Sequence, residues 1–592
     1  MTTREGDPFE VWAPACGRVR VRVGGTDHPL RPVGGGWWRS AVTARTGDDY
    51  AFLLDDDPTP LPDPRSLHQP SGVHGPSRVY DHAAHTWGDS AWTGRALPGS
   101  VLYELHVGTF TPEGTLDAAI GRLDHLVDLG VDLVELMPVN AFGGADHGWG
   151  YDGVLWGAVH EPYGGPDALK RFVDACHRRG LGVLLDVVYN HLGPDGAYLP
   201  RFGPYFAGET AWGPSLNLDG PGSDEVRRYV IANATGWLRD FHLDGLRLDA
   251  VHALRDSRAR HLLSELSAEV DALAAGLRRP LSLIAESDLN DPRMVAPREA
   301  GGHGMAAQWS DDLHHALHCA LTGEDHGYYA DFRPPEVLAH VLRRVFLHDG
   351  RYSSFRGRAH GAPVDTAATP GHRFLAYLQN HDQVGNRARG DRMAAGTSTG
   401  LLACGAALVL CSPYTPMIFM GEEWAAATPW PFFASFTDPD LADGVRRGRR
   451  REFAAMGWAE EDVPDPIDPR TRERAVLCWD EPERPPHKAV LGLYRDLIAL
   501  RRARPELADP RLDRFAVDAD PDGRGLVLHR GGLRVACNLG DAERELGLDR
   551  PARRVLLASA PDEALAGGAV VRLPAESFAV VETGEPTRHD RS

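Results

Sequence analysis

Between residues 101 and 423, short apolar runs alternate with amphipathic segments, and this alternation narrows the possible folds more than any other feature. The runs are "VLYELHVGTF" (101–110), "VDLVELMPV" (131–139), "LGVLLDVVYN" (181–190), "DGLRLDA" (244–250), "LSLIAES" (281–287), "MAAQWS" (305–310), "FLAYLQN" (374–380) and "YTPMIFMGEE" (414–423). Segments such as "DALKRFVDACHRRG", "SDEVRRYVIANATGWLRDF" and "RARHLLSELSAEVDALAAGL" lie between them, with apolar residues at helical spacing. Eight strands in strict alternation with helices predict an α/β fold, a (β/α)8 TIM barrel. "HKAVLGLYRDLIALRRARPEL" (487–507) is then the closing helix. An open doubly wound sheet is the competing arrangement, but no glycine-rich phosphate turn follows the first strand.

A chain of 592 residues is too long for one core, and the flanks of the barrel change character. "FEVWAPACGRVRVRVGG", "GGGWWRSAV" and "DDYAFLLDDD" alternate apolar and polar residues between turn formers, which predicts an N-terminal β-sandwich. A proline-rich connector without periodicity follows at 60–81. After residue 508, "GLVLHRGGLRVACNLG" and "VVRLPAESFAVVE" predict a second β-sandwich, with 584–592 as a frayed tail. The expected domains are 1–92, 93–507 and 508–592. Trp37 and Trp38 of the first sandwich either pack within the protein or bind glucan.

Composition removes several function classes. Formal charge is −20, which repels phosphate backbones, so no nucleic-acid partner is expected. No apolar run is long enough to span a bilayer, and the opening "MTTREGDPFEVWAP" carries no apolar export region, so no membrane partner is expected. Seven scattered cysteines without a CxxC spacing predict neither a disulfide framework nor a zinc site, and a reduced, cytoplasmic setting follows; no cofactor is expected. The basic run "GVRRGRRREF" (444–453) is expected to be a solvated helix face.

The polar residues inside the apolar runs carry the chemistry. In such barrels, side chains at the carboxyl ends of the strands converge on one mouth. Asp186, Asn190 and His191 end the third run, Arg247 and Asp249 the fourth, Glu286 the fifth, and His381 and Asp382 the seventh. Arg247 and Asp249 share a strand face, because alternate residues point the same way. Several carboxylates beside a cation suit retaining glycoside hydrolysis, with one carboxylate as nucleophile and one carboxylic acid as proton donor. Asp249, kept ionised by Arg247, fits the nucleophile; Glu286, after "LSLIA", fits the protonated partner; Asp382 is left to hold sugar hydroxyls.

"DVVYNH", "GLRLDAVH", "AES" and "QNHD" resemble, in order, the four signature regions of the α-amylase family of retaining glycoside hydrolases. The three-part layout resembles that family as well. The resemblance implies Asp249 as nucleophile, Glu286 as general acid/base and Asp382 as transition-state stabiliser. It also implies that Arg247, His191 and His381 contact the cleaved sugar, that Tyr151 of "HGWGYDG" stacks on it, and that Asp186 and Asn190 are structural. One position departs: Leu246 stands where many members carry Phe. Some relatives bind calcium near Asn190, but no cluster of oxygen ligands stands out there, and no metal is expected.

Longer stretches outside the signature, among them "PDPRSLHQPSGVHGPSRV", "AAQWSDDLHHALH" and "SPYTPMIFMGEEWAAATPWPFF", are similar to the members of that family that release trehalose. That similarity implies maltooligosyltrehalose and malto-oligosaccharides as partners and cleavage of the α-1,4 bond next to the terminal trehalose. Trp309, Asp311, Asp312 and His314 after the sixth strand are the candidates for the trehalose side. Glu422, with Glu423 and Trp424, is a further candidate after the eighth strand, or else braces that loop. A glucan branching or debranching enzyme of the same family is the alternative, and an inactive glucan-binding barrel a remoter one.

Overall fold

The computed structural model describes residues 8–584, apart from 145, 211–212, 456–458 and 460–461. The expected frayed tail therefore lies outside the described residues, except Gly584. Eight parallel strands close a barrel, one from each apolar run. They are β1 (Leu102–Leu105), β2 (Leu133–Leu136), β3 (Gly182–Val187), β4 (Gly245–Leu248), β5 (Ser282–Ala285), β6 (Ala307–Trp309), β7 (Phe374–Ala376) and β8 (Thr415–Phe419).

Strand alternation divides the barrel into an outer shell and a two-layered lumen. Tyr103, Val134, Leu185, Leu246 and Leu248 belong to the large core shared with the helices. Leu102, Leu133, Leu184 and Ile284 instead form a separate lumen cluster with Ala307, Trp309, Leu375, Tyr377 and Met417. Two residues further along each strand stand Glu104, Glu135, Asp186 and Glu286. An apolar plug thus supports a charged layer at the mouth. Truncating Leu133 or Leu184 to Ala would cost about 2–5 kcal/mol through the cavity left behind. Gly245 holds the lumen place below Arg247, and a Cβ there would lie 2.3 Å from the Ser282 carbonyl oxygen.

The helices Gly165–His177, Ser223–Asp240, Leu262–Leu277 and His487–Ala503 occupy the predicted segments. Alternation is not strict, however. Between β5 and β6 there are only two 3-10 turns, Pro292–Met294 and Arg298–Ala300. Pro292, Pro297, Gly301, Gly302 and Gly304 interrupt any helical run in that stretch.

Before the barrel, strands form a three-stranded and a four-stranded sheet; after it, a five-stranded and a three-stranded sheet. Trp37 and Trp38 pack inward: the Trp38 indole donates to the Ala13 carbonyl at 3.0 Å, and Arg65 lies over Trp37 at 4.8 Å. Within the proline-rich connector, residues 61–66 are all buried. Side chains satisfy its polar groups: Tyr50 Oη donates to Asp63 at 2.6 Å, and Ser77 Oγ accepts from the Asp63 N–H at 3.0 Å. No helix among the described residues is long and apolar enough to cross a membrane.

Candidate active site

The charged upper layer is organised around Arg247, which is completely buried. Its Nη1 donates to Asp186 Oδ2 at 2.6 Å and to Asp249 Oδ1 at 2.8 Å, while Nη2 lies 3.0 Å from Glu286 Oε2. Asp186 and Arg247 are cross-strand neighbours in the β3–β4 register, so the pairing follows directly from strand order. A guanidinium buried among three carboxyls is compensated, whereas alone it would be prohibitively desolvated. Trp309 supports it from below, with its ring centroid 4.3 Å from the guanidinium carbon.

Asp249 follows the end of β4 with its side chain only 12% exposed. Asn190 Nδ2 donates to its Oδ2 at 2.6 Å, and Asn190 Oδ1 in turn meets His191 Nδ1. Ala250, the next residue, sits in the left-handed region at φ 40°. That turn directs its N–H to Glu286 Oε2 at 2.7 Å. A non-glycine residue held there is the kind of local strain found at functional sites. Burial raises the Glu286 carboxyl above its usual range; Arg247 opposes this and Asp249 adds to it. Both carboxyls contact the Arg247 guanidinium, and Glu286 is the one inclined to keep its proton.

Asp382 lies in the first turn of the short helix His381–Gly385, which Asn380 caps by accepting the Gln383 N–H at 2.8 Å. Its side chain is 36% exposed, the most open of the three acids. His381 Nε2 stands 3.5 Å from Asp382 Oδ2. On its other side, His381 Nδ1 meets Glu104 Oε1 at 2.5 Å, and the His381 N–H donates to Glu104 Oε2 at 3.0 Å. Burial disfavours the imidazolium, but Asp382 and Glu104 outweigh it and raise His381 to about 9. Tyr151 stacks on the His381 ring at 5.0 Å and 19°, and its hydroxyl donates to Asp186 at 2.6 Å. The structure thus brings Tyr151, Asp186, Asn190, His191, Arg247, Asp249, Glu286, His381 and Asp382 into one connected cluster.

The trehalose-side candidates separate. Asp311 is part-exposed, accepts from Tyr377 Oη at 2.8 Å and Gln383 Nε2 at 3.3 Å, and is pushed up to about 7 by burial, with Glu286 and Asp382 adding. Asp312, by contrast, is buried, and its Oδ2 accepts from the Leu347 and His348 N–H groups at 2.6 and 3.0 Å. His314 is buried against His315 and Tyr377, and Trp309 under Arg247. Glu422 is buried and bonded to Tyr494 of the closing helix at 3.1 Å; Glu423 is bonded to Tyr103 at 3.0 Å and to His125 at 2.8 Å; Trp424 donates to Glu481 at 3.1 Å. These contacts tie the loop to Tyr103 of β1 and Tyr494 of the closing helix. Trp309, Asp312 and His314 are likewise buried.

Two carboxyls were missed from sequence. Glu104 grips His381, and its cross-strand neighbour Glu135 is 1% exposed, with neither oxygen hydrogen-bonded among the described residues. Burial and the Glu104 charge hold Glu135 well above the carboxylate range, so it is a neutral acid. The signal was available: each is a lone charge inside an apolar barrel strand, the same anomaly that marked Arg247 and Asp249.

Comparison with known proteins gives a consistent picture. Residues 76–202 match the model of the alpha amylase catalytic domain, and residues 510–580 match a domain of unknown function. The chain is 54% identical to a malto-oligosyltrehalose trehalohydrolase from Rhizobium sp. (strain M-11), over 97% of each chain. It is 57% identical to one from Arthrobacter ramosus, over 90% of this chain and 92% of that one. Among solved structures, a putative alpha amylase from Salmonella typhimurium superimposes with a TM-score of 0.89 at 38% identity, over 97% of each chain.

Proposed function

The chain belongs to the malto-oligosyltrehalose trehalohydrolases of the α-amylase family, and on that premise we propose that its Asp249, Glu286 and Asp382 hydrolyse maltooligosyltrehalose with retention. The bond broken is the α-1,4 link next to the terminal trehalose, and the products are trehalose and a shortened malto-oligosaccharide. The observation that carries the residue assignment is the Arg247 bridge. One buried guanidinium contacts both Asp249 and Glu286, which supports the close carboxyl spacing of a retaining pair.

In the first step Glu286 gives its proton to the bridging oxygen while Asp249 attacks the anomeric carbon. The trehalose portion leaves as an alcohol, and the malto-oligosaccharide is left as a glycosyl ester on Asp249. In the second step Glu286, now ionised, takes a proton from water, whose oxygen displaces Asp249 at the same carbon. Asp382 holds hydroxyls of the sugar being cleaved, and Tyr151 stacks beside it. His191, Arg247 and His381 complete the polar wall, and Asp311 faces the trehalose side. The seven unpaired cysteines fit a reducing compartment such as the cytoplasm.

The test is product analysis after incubation with maltooligosyltrehalose and, separately, with glycogen. Trehalose release is expected. New α-1,6 links or linear chains from glycogen would assign a branching or a debranching enzyme instead. Asp249→Asn should lower turnover by about four orders of magnitude or more with the fold intact. Retention of even a tenth of the rate would remove Asp249 from the nucleophile role.

A further inference from the structure

The basic run at 444–453 lies on the helix Pro439–Ala455, and it is not uniformly solvated. Arg447, Arg450 and Arg451 are exposed as expected, but the Arg449 side chain is only 14% exposed. Its guanidinium carbon lies 4.2 Å from the Phe432 ring centroid, and Phe432 packs edge-on against Trp149 at 5.0 Å. Trp149 in turn meets the His381 ring at 5.5 Å, so this helix is docked on the site. Arg449 Nη2 donates to Asn386 Oδ1 at 3.0 Å, and Asn386 Nδ2 donates to Asp382 Oδ1 at 3.2 Å.

We infer that Arg449, acting through Asn386, is a positioning residue for Asp382. Donor polarity sets which way the Asn386 amide faces. An amide has one acceptor end and one donor end, and a guanidinium can only donate. Arg449 therefore claims the oxygen of Asn386 and leaves its NH2 group facing the carboxylate. Turned the other way, the amide would set its oxygen against Asp382. Asn386 caps the carboxyl end of the helix whose first turn carries Asp382, so the bond spans one helical turn and fixes the carboxylate rotamer. The bond is partly solvated in the open cleft and strengthens when bound sugar displaces water, so its effect falls on the transition state.

This inference rests on Asp382 being the transition-state stabiliser. The experiment uses the full chain and measures kcat, KM and Tm for trehalose release. Losing one hydrogen bond to a charged group predicts that Asn386→Ala lowers kcat about tenfold and Arg449→Ala about fivefold, with KM changed by no more than about twofold. The double variant should be no slower than Asn386→Ala, because Arg449 acts only through Asn386. Asn386→Asp retains a partner for Arg449 but points an acceptor at Asp382. It should keep the wild-type Tm and lose at least as much kcat as Asn386→Ala. Glu452→Gln removes the carboxylate that pairs with Arg449 at 3.0 Å and should leave kcat unchanged. Additive losses in the double variant, or wild-type turnover in Asn386→Asp, would overturn the inference. If Asp382→Asn itself retains full turnover, the role of Asp382 falls instead; if Asp382→Asn is inactive while the Arg449 variants are normal, only the inference falls.

Discussion

Replacing Glu104 by Gln removes the carboxylate that grips His381 from beneath. Both residues are 1% exposed, so solvent screens their interaction little. Burial alone would keep the imidazole neutral, and Asp382 with Glu104 raises it from 6.5 to about 9. That gap corresponds to ~3 kcal/mol in favour of the protonated form. Asp382 remains in the variant, so Glu104 accounts for on the order of 1–2 kcal/mol of it. The sign follows from linkage. The folded value lies above the unfolded one, so the stabilisation is complete below pH 6.5 and is lost as pH rises through about 9. For a chain of this size, ~1 kcal/mol moves the midpoint by about 1 °C. Calorimetry at pH 6 should therefore place Glu104→Gln about 1–2 °C below wild type, and the difference should shrink towards zero by about pH 9.5. Turnover should fall as well, because an amide offers one acceptor oxygen where the carboxylate offers two, one to the His381 ring and one to its backbone N–H. A Tm difference that stays constant from pH 6 to about 9.5 would refute the assignment of a protonated His381.

Three further outcomes follow from the same geometry. Asp311→Ala should reduce turnover of a trehalose-ended substrate more than turnover of a plain maltodextrin; equal losses in kcat/KM would remove Asp311 from the trehalose side. Glu422 is held up at about 8 by burial, a cost that develops as pH rises from 4.5. Glu422→Gln should thus keep its kcat and gain Tm over wild type between pH 4.5 and about 8, and a large kcat loss would show that this carboxyl touches substrate. Glu135→Gln replaces one neutral group by another, so turnover within about twofold and Tm within about 1 °C are expected; a shift beyond about 3 °C would mean that Glu135 is charged.

Much of the barrel could be read in advance, because period-two alternation and helical spacing are local properties of the chain. All eight predicted runs supply a strand. The cluster around Arg247 was partly readable for the same reason: a charge in an apolar strand must be compensated, and Asp186, Asp249 and Glu286 each stood at a strand end. Where the expectations departed from the structure, side-chain partners outweighed local pattern. The connector at 60–81 shows no periodicity, yet Asp63, Ser77 and Gln69 satisfy polar groups there and residues 61–66 are buried. The run at 444–453 looked solvated, but Phe432 and Asn386 draw Arg449 inward.

The amino-acid order alone specifies which side chains face the lumen, since β1, β2 and β3 each carry Leu below a carboxylate and β5 carries Ile284 below Glu286. It therefore also specifies that a charged layer exists. What that layer does depends on closure of the barrel. Register sets Asp186 beside Arg247 and Glu104 beside Glu135, and closure brings Phe419 of the last strand alongside Glu104 of the first. Only then does one carboxylate grip His381, another lie buried without a hydrogen bond among the described residues, and one guanidinium contact two carboxyls at once. Proton affinity depends on distance and burial, and both are set by contacts between residues far apart in the chain.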